Sequence, residues 1–343
     1  MKRELANAHF SCDPRDPQTM ANTMKLPKVI LISMSMRPAS FQMTPAIARI
    51  TMTLLLLLSL AVPLLAEARL VHDQLGRAVN VPEQPARIVT LAASLTEIVF
   101  ALEQGQRLVG VEQFSDYPEA ARVLPKVGSY ISPNVERIMA LRPDLVLAIK
   151  DGNPYHSVAR LEGLGLPVYA VDPRNLQGVI ATVVEIGALL GVEDRARQLA
   201  ADLSRRQERL RVLTAGLSHR PRVFFQIGTT PIVAVGSHTF LDELITTAGA
   251  VNLTAGKIPY PRFSQEQVVA LRPEVIVITS MTRGEAFDKV KEGWRRWPSL
   301  PAVRDNRIFL VDSDLVDRPA PRIFDGLEQL FRLFHPELAG EIS

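Results

Sequence analysis

Short apolar runs alternate with amphipathic stretches along most of the chain, and that alternation predicts an α/β fold. Residues 87–93 (RIVTLAA) have the unbroken apolar character of a short buried strand. The Ser94-Leu95-Thr96-Glu97 segment after it has the form of a capping box and predicts a helix running to about Gln104. A strand follows at 108–111. Residues 134–141 read as a helix that must stop before Pro143. Strand 145–149, helix 157–164 and strand 168–171 complete this part. Strands alternating with helices imply a parallel or mainly parallel sheet covered on both faces. Ahead of it, residues 70–81 (LVHDQLGRAVNV) read as a hairpin with Gly76 at the turn, set off by Pro82 and Pro85.

Two helical stretches then follow with little between them. Residues 175–190 end at Gly191, a suitable C-cap. Residues 192–213 carry an apolar stripe of Ala196, Leu199, Ala200, Leu203, Leu210 and Leu213, interrupted at Gln207 and otherwise heavily charged. Such a helix is about 33 Å long. It is either one more crossover helix or a rigid strut between two domains. After Pro221 the alternation resumes, with strand 222–227, helices 240–247 and 264–271, and strand 275–279. Residues 294–300 sit near a helix end. Strand 307–311 and a final helix at 323–334 close the chain.

The two halves share a repeat. Residues 136–149 read ERIMALRPDLVLAI and residues 266–279 read EQVVALRPEVIVIT, identical at five of fourteen positions and offset by 130 residues. A helix, Arg-Pro, strand unit in each half suggests two similar lobes, 69–191 and 218–343, on either side of a connecting helix at 192–217. Glu136 and Glu266 fall in the first turns of the repeated helices, after the N-cap candidates Asn134 and Ser264. A carboxylate there gains about 0.3–1 kcal/mol from the helix dipole, which by itself accounts for them. The other reading is one exposed carboxylate on each lobe, able to dock on two cationic patches of a two-fold membrane partner.

Composition narrows the function. The 343 residues are 47% hydrophobic and 22% charged, with a net charge of +3. Residues 1–68 hold seven of the 39 basic and four of the 36 acidic residues, leaving 32 of each beyond them. A neutral body without a basic tract argues against a nucleic-acid partner. Cys12 is the only cysteine and lies in a segment expected to be absent from the mature protein, which would then have no disulfide and no Cys-ligated metal. Arg49, the Leu54–Leu58 run continuing to Leu65, and Ala66-Glu67-Ala68 have the order of a cleaved export signal. The apolar run is shorter than the ~20 residues of a comfortable membrane span. No cysteine follows it to carry a lipid, so the expected product is free in a Gram-negative periplasm. Residues 1–42 fit no part of a signal, and Met36 or Met43 would each begin one of ordinary length; residues 1–68 are therefore read as a signal peptide with an over-long N-terminal extension.

Catalytic signatures are absent. Six residues separate Gly249 from Gly256 where a P-loop needs four, and Ile258 follows Lys257 instead of Ser or Thr. There is no G-x-S-x-G and no G-x-G-x-x-G. His72, His156, His219, His238 and His335 are scattered without ligand spacing. His156, placed in the loop after Asp151-Gly152-Asn153, is either a solvent-exposed loop residue or an axial ligand to a bound metal macrocycle.

Several stretches together carry a family likeness: SLTE (94–97), FSDYP (114–118), NVERIMALRPDLV (134–146), DGN (151–153), FFQIG (224–228), IPYPRFSQEQV (258–268) and SDLVDRPAPRI (313–323). Over residues 87–335 the chain resembles the class III periplasmic binding proteins, most closely their cobalamin receptors. The resemblance implies two α/β lobes joined by one long helix, with the ligand held in the cleft between them. It implies a monomeric receptor of an ABC importer, not an enzyme, that needs no cofactor and carries cobalamin or a related corrinoid as cargo. It also implies that Glu136 and Glu266 form salt bridges with arginines of the permease dimer. Carried over one at a time, the pocket positions are Phe114, where the cobalamin receptors have Tyr; Tyr130 and Tyr260, where they have Trp; and Asp314 and Arg318, polar contacts at the cleft mouth. Ile149 stands where they have Trp, and Val233 falls near another aromatic position. A corrin is a large flat ring with amide side chains, suited to aromatic faces and a few orienting polar groups. The less aromatic pocket keeps haem and ferric siderophores as alternative ligands, for which Arg318 and Arg262 could pair with carboxylates. A secreted α/β enzyme is the remote alternative.

Overall fold

The computed structural model describes residues 68–279 and 287–342. Cys12, Met36, Met43, Arg49, the leucine run, Ala66 and Glu67 lie outside the described residues. No helix among the described residues is long and apolar enough to cross a membrane.

The chain enters through an antiparallel hairpin, β1 (Ala68–His72) and β2 (Ala78–Pro82), whose turn needs the positive φ of Gly76 (74°). The first sheet has the order β4-β3-β7-β8, where β3 is Ile88–Thr90, β4 Leu108–Val111, β7 Leu145–Ile149 and β8 Val168–Val171. It is wholly parallel. Between β4 and β7 lies a small hairpin of β5 (Gly128–Ser129) and β6 (Ser132–Pro133). Every residue of β7 and β8 is buried, as expected of apolar strands covered on both faces.

The second sheet is built on β9 (Arg222–Thr229), which pairs in parallel with β11 (Val251–Asn252) and β13 (Val275–Ile278), and β13 with β14 (Ile308–Leu310). Its other edge departs from the parallel rule. After Thr229 the chain reverses through Pro231 into β10 (Ile232–Ala234), which pairs antiparallel with β9 and with β12 (Arg262–Phe263). These short edge strands lack a long apolar run and were invisible to the pattern.

Helices Leu176–Leu189 and Glu193–Ala215 meet at Gly191, whose φ of 69° ends the first. The longer one is the strut. Arg195 bonds the carbonyl of Ala101 and pairs with Glu103 beside the first sheet. Farther along, Arg206 pairs with Asp325 (2.6 Å) and Glu328 (2.7 Å) on the helix Ile323–Phe334 beside the second sheet. One hydrophobic cluster runs through both sheets' helices and the strut residues Ala196, Leu203 and Leu210. The described residues accordingly belong to a single compact unit spanning residues 64–343.

The repeat is structural. Helices Val135–Ala140 and Gln265–Leu271 are capped by Asn134 and Ser264, and both end at an arginine with positive φ, Arg142 (46°) and Arg272 (50°). Asp144 accepts the N–H of Arg87, and Glu274 that of Arg222. Those two arginines reach back to the carbonyls of Leu141 and Leu271, the last turns of the two helices.

Two expectations are corrected. Residues 94–97 are not a capping box: the helix Ala93–Ala101 starts after Ala92 with no side-chain cap. Its polar side chains are buried and bonded elsewhere, Thr96 to Thr90 (2.7 Å) and Ser115 (2.9 Å). His156 lies in the first turn of the helix Tyr155–Gly163, exposed, not in a loop.

The junction of the two long helices supplies a stability test. A Cβ on Gly187 would stand 2.2 Å from that of Ala196, whereas one on Gly163 meets nothing within 4 Å. Chemical denaturation should show Gly187→Ala losing about 1–3 kcal/mol through overpacking. Gly163→Ala should be neutral or gain up to about 1 kcal/mol from helix propensity.

Candidate functional site

In open parallel sheets ligands bind beyond the carboxyl ends of the strands. The segments leaving β4 and β7 bring Phe114, Tyr130 and Ile149 to that edge of the first sheet. Phe114 is partly exposed, and its carbonyl accepts from Arg318 at 3.2 Å. Tyr130 sits in the β5–β6 turn with its ring over Gly152, where an added Cβ would stand 3.0 Å from Cδ2 of the ring and 3.6 Å from Ile149. Ile149 is buried behind them, a backing wall and not an exposed face.

From the second lobe comes Tyr260, on a segment that runs along β10: Gly236 and Ala234 donate to the carbonyls of Pro259 (2.7 Å) and Pro261 (2.9 Å). Gly236 is required there, since a Cβ would meet the Ile258 carbonyl oxygen at 1.9 Å. Tyr260 is 54% exposed. Partial burial raises its phenol pKa, and so do the carboxylates of Asp317 on its own lobe and Asp151 on the other. The phenol therefore lies within reach of a charge from each lobe. Val233 is half-buried in β10, packed on Gly228 and in register with exposed Arg262.

Asp314 and Arg318 are in contact (2.8 Å), but Arg318 has other partners too. Its guanidinium binds Glu97 and Asp116 of the first lobe, each at 3.1 Å. Arg322 adds a two-pronged pair to Glu97 at 2.7 and 2.8 Å and lies 3.8 Å above the ring of Tyr117. Glu97 is only 3% exposed. Three carboxylates, two arginines and a tyrosine thus clamp the two lobes. Beside the clamp, against the strut, is a cavity of about 300 Å³ lined by Phe100, Tyr117, Leu199, Arg206 and Arg322 among others.

Sequence reasoning missed Glu97, Asp116 and Arg322. All three lie in stretches that carry the family likeness, but Glu97 was assigned to a helix cap. It also missed Asp317, whose carboxyl oxygen Oδ2 is buried without a hydrogen-bond partner. Burial, then repulsion from Asp314 and Asp312, push its pKa up to about 7.

Glu136 and Glu266 are both exposed. Glu136 pairs with Arg160 (2.9 Å). The Glu266 carboxyl is held below its usual range by its own backbone N–H and the Ser264 side chain. Among the described residues no three His, Cys, Asp or Glu side chains are grouped to hold a metal ion.

Residues 88–315 match the periplasmic binding protein family. A vitamin B12-binding protein of Yersinia pestis is 34% identical over 253 residues, covering 73% of this chain and 87% of that one. Among solved structures, the periplasmic vitamin B12 binding protein BtuF of Vibrio cholerae aligns over 76% of this chain and all of its own, at 30% identity and a TM-score of 0.65. A periplasmic heme binding protein from Pseudomonas aeruginosa aligns over 74% of this chain and 93% of its own, at 30% identity and a TM-score of 0.66.

Two outcomes follow from the clamp and its neighbour. Glu97→Ala leaves two partly buried guanidiniums short of an anion and should cost about 3–5 kcal/mol in urea unfolding. The raised pKa of Asp317 means its penalty is absent below pH 4 and grows as pH rises towards 7. Asp317→Asn should therefore gain stability relative to the parent across that interval, by up to ~4 kcal/mol, and stay level above it. Parallel pH–stability curves of the two proteins would refute the assignment.

Proposed function

The chain belongs to the periplasmic binding protein family, and from that premise we propose that it is the receptor of an ABC importer that captures cobalamin or a related corrinoid. The observation that supports the proposal is that each lobe exposes aromatic side chains, Phe114 and Tyr130 from one and Tyr260 from the other, the last close enough to Asp151 of the first lobe to feel its charge. A flat amphipathic macrocycle fits such faces, with its amides turned to the polar rim at Asp314. The likeness to vitamin B12-binding proteins over nearly the whole family region supports this cargo.

Haem is the second reading, favoured by the likeness to the Pseudomonas aeruginosa protein. Its propionates would need a cation, and Arg318 already faces the carboxylates of Glu97, Asp116 and Asp314. Cobalamin, whose periphery is amide, makes no such demand.

The receptor works in the periplasm as a monomer, exported by the segment ending near Ala68. It performs no chemistry on its cargo. Glu136 and Glu266, in equivalent first turns of the two lobes, dock on arginines of the permease dimer. The pair suits a two-fold partner because the helices that bear them are related by the internal repeat.

Calorimetric titration of residues 69–343 with cyanocobalamin, cobinamide, haemin and a ferric siderophore tests the cargo. Tight one-to-one binding of a corrinoid is expected; binding of haemin alone would replace the cargo and keep the transport role. Changing Glu136 and Glu266 together to Ala should leave affinity intact and impair uptake by cells. A fall in affinity would show that the two carboxylates act elsewhere.

A further inference from the structure

Glu112 follows β4 directly and is 1% exposed. Its Oε2 accepts the N–H of Phe114 at 2.8 Å, and the backbone of Tyr130 lies near enough to favour its charged form. Asn153, which follows β7 and is 7% exposed, does complementary work. Its amide nitrogen donates to the carbonyl of Tyr130 (2.8 Å) and to that of Leu91 (2.9 Å). Its amide oxygen accepts the N–H of Ile149 (2.7 Å). Tyr130 is thereby held at its carbonyl by Asn153, with Glu112 close to its backbone on the other side. Phe114 is tied to Glu112 and Ile149 to Asn153.

These loops have little regular structure of their own, since β5 and β6 are two residues each. Backbone bonds such as Gln113 N–H to the Gly128 carbonyl (2.9 Å) join the two loops, and the side-chain anchors act at Phe114 and Tyr130 themselves. Glu112 is a costly choice for the purpose. Burial raises its pKa, opposed by the Phe114 N–H, by the nearby Tyr130 backbone and by the charges of Arg318 and Lys126. Its Oε1 is buried without a partner. An apolar side chain would fill the same space without that penalty. A local cost of this kind is expected where geometry matters more than stability.

We infer that Glu112 and Asn153 are positioning residues that hold Phe114 and Tyr130, backed by Ile149, as one preformed face for a flat ligand. The inference rests on the proposed binding role of the cleft. A face ordered before the ligand arrives spares the entropy of ordering it on binding. The two residues touch no ligand themselves; they act through the backbone of those that do.

The test compares Glu112→Ala, Glu112→Gln and Asn153→Asp with the parent protein by cyanocobalamin titration and by amide hydrogen exchange without ligand. Glu112→Ala should weaken binding about tenfold or more. It should also speed exchange at the Phe114 and Tyr130 amides while leaving β7 and β13 protected. Glu112→Gln keeps an acceptor oxygen and should rescue most of both losses. Asn153→Asp keeps the acceptor for Ile149 but loses the donor to Tyr130, so it should weaken binding even if Glu112→Ala fails to fold. Unchanged affinity in folded Glu112→Ala and Asn153→Asp overturns the inference, as does a Gln variant no better than Ala. If the parent protein does not bind cyanocobalamin, the cargo assignment falls. The exchange rates at Phe114 and Tyr130 then decide the anchoring by themselves: faster exchange in Glu112→Ala with rescue in Glu112→Gln upholds it, and unchanged exchange overturns it.

Discussion

The arrangement of the two lobes depends on one buried carboxylate. Glu97 takes both Arg318 and Arg322 from the other lobe. Burying ions costs desolvation energy that their attraction only partly returns, so such a cluster contributes more to specifying geometry than to net stability. Here it specifies where the second lobe meets the first. With the strut tying the lobes through Arg195 and Arg206, the protein is joined at two separate places. The clamp also holds Asp314 and the carbonyl of Phe114, so the cleft mouth and the lobe contact are one structure. That coupling is the physical reason Arg318 is poorly suited to bind an anionic ligand.

The internal repeat solves a local problem twice. A helix that must stop and hand over to a buried strand needs a residue with positive φ and partners for its last carbonyls. In each lobe an arginine before proline takes the positive φ. A second arginine, Arg87 or Arg222, caps the helix end, and an acidic residue fixes that arginine's backbone. The first turn of each helix then presents its glutamate to solvent at an equivalent place. The pairing of Glu136 and Glu266 is thus a by-product of repeating the unit, available to any two-fold partner.

The two faces proposed to bind the ligand are built differently. On the first lobe, Phe114, Tyr130 and Ile149 are anchored to buried polar side chains at the ends of parallel strands. On the second, Tyr260 is carried by an extended segment paired to the antiparallel edge of the sheet, where Gly236 lets the backbones approach.

Much of this was legible in the sequence. Apolar runs such as 145–149, 168–171 and 275–278 determine their strands because a run that hydrophobic must be covered on both faces. The long amphipathic stretch determined the strut, and the fourteen-residue likeness determined the twofold plan. Those signals are local, or compare one local segment with another. The tertiary structure alone decided the rest. Ser94-Leu95-Thr96-Glu97 has the composition of a helix cap, yet the hydroxyl of Thr96 and the carboxylate of Glu97 find partners 19 and more than 200 residues away along the chain. Glu112 has no pattern at all, and Asn153 shows only its place in the DGN stretch, since a single buried polar residue leaves no periodicity. Which polar side chain is a cap, a clamp or an anchor depends on what the fold brings against it when water is excluded, and that is not a property of any segment by itself.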